Sequence, residues 1–190
     1  MTRDAVLELF RTSGALLDGH FRLTSGLHSP GYMQCALVLQ HPDHAESLGR
    51  AIGERARALR PTVVLSPALG GLVIGHEVAR ALRVRAIFAE RQEGALTLRR
   101  GFTVDRDDRV LVVEDVLTTG GSTRETMDVA WAAGAHVIGA ASVVDRSGGA
   151  VRFDVPYMAL LDYALPTYEA GACPLCAQGT PAIKPGSRSG

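Results

Sequence analysis

The sequence predicts an α/β protein, a mostly parallel sheet flanked by helices with a small N-terminal hood. Short β-branched runs alternate with segments of helical period along most of the chain, the pattern of a parallel sheet with helical crossovers. One run, Val-Leu-Val-Val at 110–113, is uninterrupted, as expected of a strand buried on both faces. A Gly-rich loop follows it. Met127, Ala130, Trp131 and Ala133 then recur at helical spacing before Gly134, a suitable C′ residue. Residues 110–134 therefore read as strand, loop and helix, with the loop at the carboxyl end of a strand, where open α/β sheets bind ligands.

The remaining elements follow in order. Ala5, Leu9 and Leu16 mark a short first helix whose packing face is Val6, Leu7 and Phe10. Residues 19–33, rich in Gly, Ser and His, alternate loosely and read as the β-turn-β hood, which extends to about residue 40. Pro42 suits the first turn of a long helix with Ala45, Leu48, Ile52, Ala56 and Leu59 on one face. Strands are expected at 62–66, 85–89, 137–144 and 157–161, and a helix at 73–82 after the Gly70-Gly71 turn. Residues 91–100 read as a charged loop or hairpin. One domain is expected over 1–180, with 181–190, rich in Pro, Gly and Ser, as a disordered tail.

Bulk properties exclude several classes. The 190 residues are 46% hydrophobic, enough for one α/β domain with a proper core. Twenty Lys plus Arg balance twenty Asp plus Glu, which argues against a nucleic-acid binder. No apolar stretch approaches a membrane span, and the N-terminus lacks a signal-peptide layout. Three cysteines make no disulfide framework, so a cytoplasmic protein is expected.

The loop within VLVVEDVLTTGGST, residues 110–123, carries readable chemistry. Gly120 and Gly121 let backbone approach a ligand, and amides of 119–123 at a helix N-terminus suit an anion. Thr118, Thr119, Ser122 and Thr123 add hydroxyl donors without bulk. Glu114 and Asp115 repel a phosphate but accept hydrogen bonds from paired hydroxyls. A ligand with a vicinal diol near a phosphate is a ribose 5-phosphate. The bland alternative is an acidic turn before a flexible loop, which the full hydrophobic–acidic–hydroxyl–glycine order disfavours.

This segment resembles the phosphoribosyl-pyrophosphate (PRPP) signature of the type I phosphoribosyltransferases, which implies that fold. The resemblance assigns PRPP binding to Glu114, Asp115, Val116, Leu117, Thr118, Thr119, Gly120, Gly121 and Ser122. A second stretch, GHFRLTSGLHSPGY at 19–32, resembles the substrate-binding segment of orotate phosphoribosyltransferases. Ser66–Gly71 resembles the family's pyrophosphate loop, here Ala68, Leu69, Gly70 and Gly71. Residues 97–101 resemble a segment of one bacterial branch, and 144–149 the orotate-contacting stretch. Matches to both substrate sites favour orotate over a purine phosphoribosyltransferase or a PRPP-sensing regulator. For the regulator, no room for a winged helix is expected before Gly19.

The resemblance implies that Thr118, Arg146, Ser25 and Tyr32 bind orotate, and that Arg91 and Asp115 belong to the catalytic set. An arginine fork suits the orotate carboxylate or ring carbonyls, whereas Arg146 read alone is a surface arginine paired with Asp145 or another carboxylate. Mg²⁺ is implied as cofactor, held mainly by substrate, because no dedicated metal cage is visible. Homodimers are implied, with PRPP and orotate as small-molecule partners and neither nucleic acid nor membrane.

The chain also departs from the family pattern. The usual mobile loop with several basic residues is shortened to 88–94, where only Arg91 aligns with one of them. Arg99 and Arg100 read equally as a solvated hairpin face or as phosphate contacts. The lysines usual in the pyrophosphate loop and before Ser-Gly in the hood are Gly70 and Thr24 here. Cys173-Pro-Leu-Cys176 supplies two zinc ligands where a structural site wants four, so it reads first as a thiol pair in a C-terminal loop. The six histidines show no ligand spacing, although His20 and His28 lie near the hood.

Overall fold

The computed structural model describes residues 1–23 and 25–184. Thr24 and residues 185–190, the latter part of the expected tail, lie outside the described residues. In chain order the elements are α1 (Arg3–Thr12), β1 (Leu16–Arg22), β2 (His28–Met33), α2 (Cys35–Leu39), α3 (Pro42–Ala56), β3 (Val63–Pro67), α4 (Gly71–Leu82), β4 (Arg85–Gln92), β5 (Ala95–Leu98), β6 (Arg109–Leu117), α5 (Gly121–Ala132), β7 (His136–Asp145), β8 (Tyr157–Asp162) and α6 (Pro174–Ala177).

A six-stranded sheet has the order β5-β4-β3-β6-β7-β8. All its neighbours pair in parallel except β4 and β5, which form an antiparallel hairpin. The charged segment at 91–100 is thus a hairpin tip. Within β6, Leu111 and Val113 point into one core, with α1, α3 and α4, while Val110 and Val112 point into the other, with α5. Burial on both faces explains why the run is continuous rather than alternating.

β1 and β2 form a separate antiparallel pair, the hood. The first helix stops at Thr12, and Leu16 belongs to β1. Gly14, at φ 66°, supplies the left-handed turn that ends the helix. Helix α2 was not expected within the hood; its five residues bury Cys35, Val38 and Leu39. The expected disorder from residue 181 does not hold for the first of those residues. Ile183 pairs with Phe21, its N–H donating to His20 O at 2.8 Å and its carbonyl accepting from Arg22 N at 2.8 Å.

Because β3, β6 and β7 run in parallel, the loops after Pro67, Leu117 and Asp145 emerge on one edge of the sheet. The hood and the chain after β8 lie against that edge.

Candidate active site

A cavity of about 740 Å³ opens where these loops meet the hood. Its walls include Tyr32, Cys35, Asp115, Thr118, Arg146 and Leu165. A smaller depression of about 270 Å³ lies between α3 and α4. Four of its charges pair with one another, with Arg50 2.7 Å from Glu46 and Arg80 2.6 Å from Glu77 and 3.3 Å from Glu46. The larger cavity keeps unpaired charge.

The two acidic residues at the end of β6 have opposite environments because successive strand side chains face opposite ways. Glu114 is buried, and its carboxylate accepts from Ser122 Oγ at 2.5 Å and from Thr123 Oγ1. It thereby braces the first turn of α5. Asp115 faces the cavity instead. Burial pushes both carboxyls above the usual range. For Glu114 the two hydroxyls oppose the rise and Asp115 adds to it. For Asp115 the amides of Val116 and Asp115 itself oppose it. Among the described residues neither carboxylate has an arginine or lysine partner.

The loop between β6 and α5 places Thr118 and Thr119 at the surface, with Thr118 and Thr119 on the cavity wall. Gly120 turns the chain at φ 76°, and a Cβ there would lie 2.8 Å from Arg124 Nη1 and 2.8 Å from Val151 Cγ1. Only glycine fits both the angle and the space. Arg124, not anticipated from the sequence, donates to Thr119 O at 3.1 Å and stacks over Phe153 at 5.0 Å. It adds positive charge beside the amides of Gly121 and Ser122.

Arg146 is the unsatisfied group of the site. Its Nε is buried without a hydrogen-bond partner, and it makes no ion pair among the described residues. Burial lowers its pKa, with Tyr32 and Cys35 acting against the fall, yet guanidinium stays charged. The alternative pairing of Arg146 with Asp145 does not occur, and that carboxylate accepts instead from Ser147 N at 2.7 Å. Ser25, Tyr32 and Thr118 share the cavity with Arg146.

In the loop between β3 and α4, Ala68–Leu69 is a cis peptide and Leu69 is exposed. Gly70 backs onto the acidic wall; a Cβ on it would come within 2.6 Å of Asp115 Oδ1. Gly71 opens α4.

Arg91 is not brought into the cavity. It sits near the tip of the β4–β5 hairpin, 2.9 Å from Glu125 on α5, and donates to Gly94 O. Arg100 is likewise held by Glu90 at 2.7 Å. The short hairpin keeps both outside the lining, so a role for Arg91 in the same chain's cavity is not supported.

Residues missed from the sequence include Met33, Gln34, Cys35, Leu165 and Thr167. Burial first, then Asp115, raises the Cys35 thiol, and Arg146 opposes them. Leu165 and Thr167 follow β8 and carry no local motif, so nothing short of the fold could place them.

An acid-tipped central strand, a glycine turn into a helix N-terminus and an orphan guanidinium define an α/β sugar-phosphate-binding protein of the phosphoribosyltransferase class. The profile of the phosphoribosyl transferase domain matches residues 37–161. An orotate phosphoribosyltransferase of Pelotomaculum thermopropionicum is 54% identical over 188 residues, covering 99% of both chains. Its counterpart in Heliobacterium modesticaldum is 54% identical over 191 residues, 100% of both. A solved structure of the Mycobacterium tuberculosis orotate phosphoribosyltransferase in complex with PRPP is similar at TM-score 0.67 and 27% identity, over 84% of this chain and 95% of that one. The chain belongs to the orotate phosphoribosyltransferases of the phosphoribosyltransferase family.

Proposed function

We propose that this chain transfers the 5-phosphoribosyl group of PRPP to orotate, giving orotidine 5′-monophosphate and pyrophosphate for pyrimidine synthesis. The observation that carries this reading is Arg146, a half-buried cation whose buried Nε has no hydrogen-bond partner and which makes no ion pair among the described residues, facing a cavity that also holds Asp115. A partly desolvated charge without a counter-ion is costly, and a planar anion such as orotate supplies the missing carboxylate. Thr118, Ser25 and Tyr32 then contact the ring and its carbonyls. Asp115 accepts from the ribose hydroxyls with Glu114 behind it. Val116–Ser122 seat the 5-phosphate on the glycine turn.

The bond from C1 to the pyrophosphate oxygen breaks as the bond from C1 to the ring nitrogen forms. The pyrophosphate leaves with its electron pair, and the nitrogen's proton passes to solvent. Positive charge grows on the ribose, as in glycoside transfer, and the nearby carboxylates stabilise it. Positioning and exclusion of water are the protein's tasks, with no protein nucleophile. Ala68–Gly71 presents backbone to the leaving group.

The site suits Mg²⁺ held mainly by substrate, since Asp115 is a carboxylate oxygen donor beside the pyrophosphate loop with no cationic partner among the described residues. When bound, Mg²⁺ neutralises the charge of the leaving pyrophosphate. A homodimer, in which Arg91 serves the neighbouring copy's cavity, completes the reading. Residues 1–180 act as one domain in the cytoplasm. No helix among the described residues is long and apolar enough to cross a membrane.

The test mixes protein, PRPP, Mg²⁺ and orotate and follows the loss of orotate absorbance. Turnover with orotate and none with adenine is expected. Turnover with adenine alone would favour a purine transferase, and PRPP binding without turnover would favour a sensor.

A further inference from the structure

The hood and the C-terminal segment meet at four side chains that the transfer reaction does not use. His20 and His28 come from β1 and β2, and Cys173 and Cys176 from the entry to α6 and its first turn. One ligand atom from each lies within 4.8 Å of all the others. His20, His28 and Cys173 are buried. The sequence offered only a C-x-x-C pair; folding brings the missing half to it.

The protonation pattern suits a metal. His20 Nδ1 lies 2.7 Å from Thr180 O, and a carbonyl only accepts, so Nδ1 carries the proton. The lone pair of His20 Nε2 is therefore left for the cluster, fixed by the outer contact that orients metal-bound histidines. Nε2 lies 3.4 Å from Cys173 Sγ, 3.8 Å from Cys176 Sγ and 2.8 Å from His28 Nδ1. His28 Nδ1 is 3.2 Å from Cys176 Sγ. With Zn–N of about 2.0 Å and Zn–S of about 2.3 Å, a tetrahedron has N-to-S edges of roughly 3.5 Å. The three N-to-S spacings, 3.2, 3.4 and 3.8 Å, bracket that edge.

We propose that His20, His28, Cys173 and Cys176 bind a structural Zn²⁺ ion that clasps the C-terminal segment to the hood. Two thiolates and two imidazoles select zinc among common divalent ions, and their charge cancels that of the ion in a buried place. Four protein ligands leave no open position, so the site is structural. Its location says what it holds. His28 N donates to Tyr168 O at 2.8 Å and Tyr168 N to His28 O at 2.9 Å, while Ile183 pairs with Phe21 nearby. The clasp thus sits between two backbone couplings of the same two segments. Leu165 and Thr167, shortly before Tyr168, are carried with it to the cavity wall.

The test measures metal in protein purified without chelator, where about one zinc per chain is expected. Reconstitution with Co²⁺ should give thiolate-to-cobalt charge transfer and the intense visible bands of a tetrahedral site. Cys176→Ser should lower bound zinc at least tenfold, whereas Cys35→Ser, removing the third cysteine, should retain it. Chelation should make two thiols newly reactive toward a thiol reagent. Wild-type protein that is metal-free, gives no cobalt bands and has both thiols reactive or joined in a disulfide would overturn the proposal. So would equal zinc loss in Cys35→Ser. If Cys176→Ser fails to fold, the wild-type metal content and cobalt spectrum decide alone.

Discussion

The acidic wall of the cavity grows from β6, an interior strand paired on both edges and packed on both faces, whereas the opposite wall is assembled from the β1–β2 hairpin, α2 and the chain beyond β8. The first wall inherits its geometry from the core: Asp115 and Glu114 are held by the strand, and the glycine turn by α5. The second joins the same core at Met33, Cys35, Val38 and Leu39, with Leu165 packed against it, but its β1–β2 pair is not hydrogen-bonded into the central sheet. A two-stranded hairpin is marginal alone, and this one is supported by backbone pairing to 168 and 183 and by the histidine–cysteine cluster. On the proposed function, the contrast separates rigid recognition of the ribose phosphate from a base site whose walls depend on distant segments.

The largest effect should come from the core wall. Asp115→Asn removes the charge proposed to meet the ribose hydroxyls and should lower kcat/KM roughly 100-fold or more. It should also raise thermal stability, because the native protein carries this carboxylate at a cost. The sign follows from the raised pKa values of Asp115 and Glu114. The native state holds these protons more tightly than the unfolded chain, so their contribution is fully favourable below the ordinary carboxylate range. It is lost as pH rises from about 4 through the raised values. Melting temperatures across that range should fall less steeply in Asp115→Asn than in wild type. An active variant, or one with an unchanged pH slope, would remove the asymmetry between the walls.

An intermediate effect is expected at the junction. Arg146→Gln should raise KM for orotate roughly 10- to 100-fold while changing KM for PRPP little. Stability should hold or rise, since the substitution removes a half-buried cation that makes no ion pair among the described residues and whose Nε has no hydrogen-bond partner. A marked loss of melting temperature with unchanged orotate KM would make Arg146 a structural residue. Steady-state kinetics with each substrate varied separate the two.

The same contrast governs what could be read in advance. The strand, acidic pair, glycine turn and helix are contiguous at 110–134, so strand burial and helix periodicity specify them locally. Arg146 was legible by resemblance, although its lack of a partner was not, because only the fold shows Asp145 engaged by Ser147 N. Leu165, Thr167 and the His20–His28–Cys173–Cys176 cluster are composite. His20 and Cys173 are far apart in the chain, and no periodicity connects them. Helix α2 fell below the length at which periodicity speaks. The shortened basic loop was visible, but not the ion pairs that hold its arginines aside.

Those ion pairs set the smallest effect and the sharpest question about Arg91. Its bridge to Glu125 is half exposed on both sides, 50% and 44%, and an exposed pair contributes only about 0.2–1 kcal/mol. Arg91 can therefore leave Glu125 when a stronger anion is near, and a pyrophosphate in a neighbouring copy's cavity is such an anion. Arg91→Ala should lower kcat by roughly 3- to 10-fold and affect orotate KM less, since the contact matters most as charge develops on the leaving group. Glu125→Ala should leave melting temperature within about a degree or two and kcat equal or slightly higher, because it frees the arginine. Mixing Arg91→Ala with an Asp115→Asn variant sharpens this further. If the arginine acts across a dimer, hybrid dimers keep one cavity with both Asp115 and a partner's Arg91, and the mixture regains kcat beyond that of Arg91→Ala alone. Unchanged kcat in Arg91→Ala would leave that arginine as a hairpin ion pair and pass the leaving group to the backbone of 68–71.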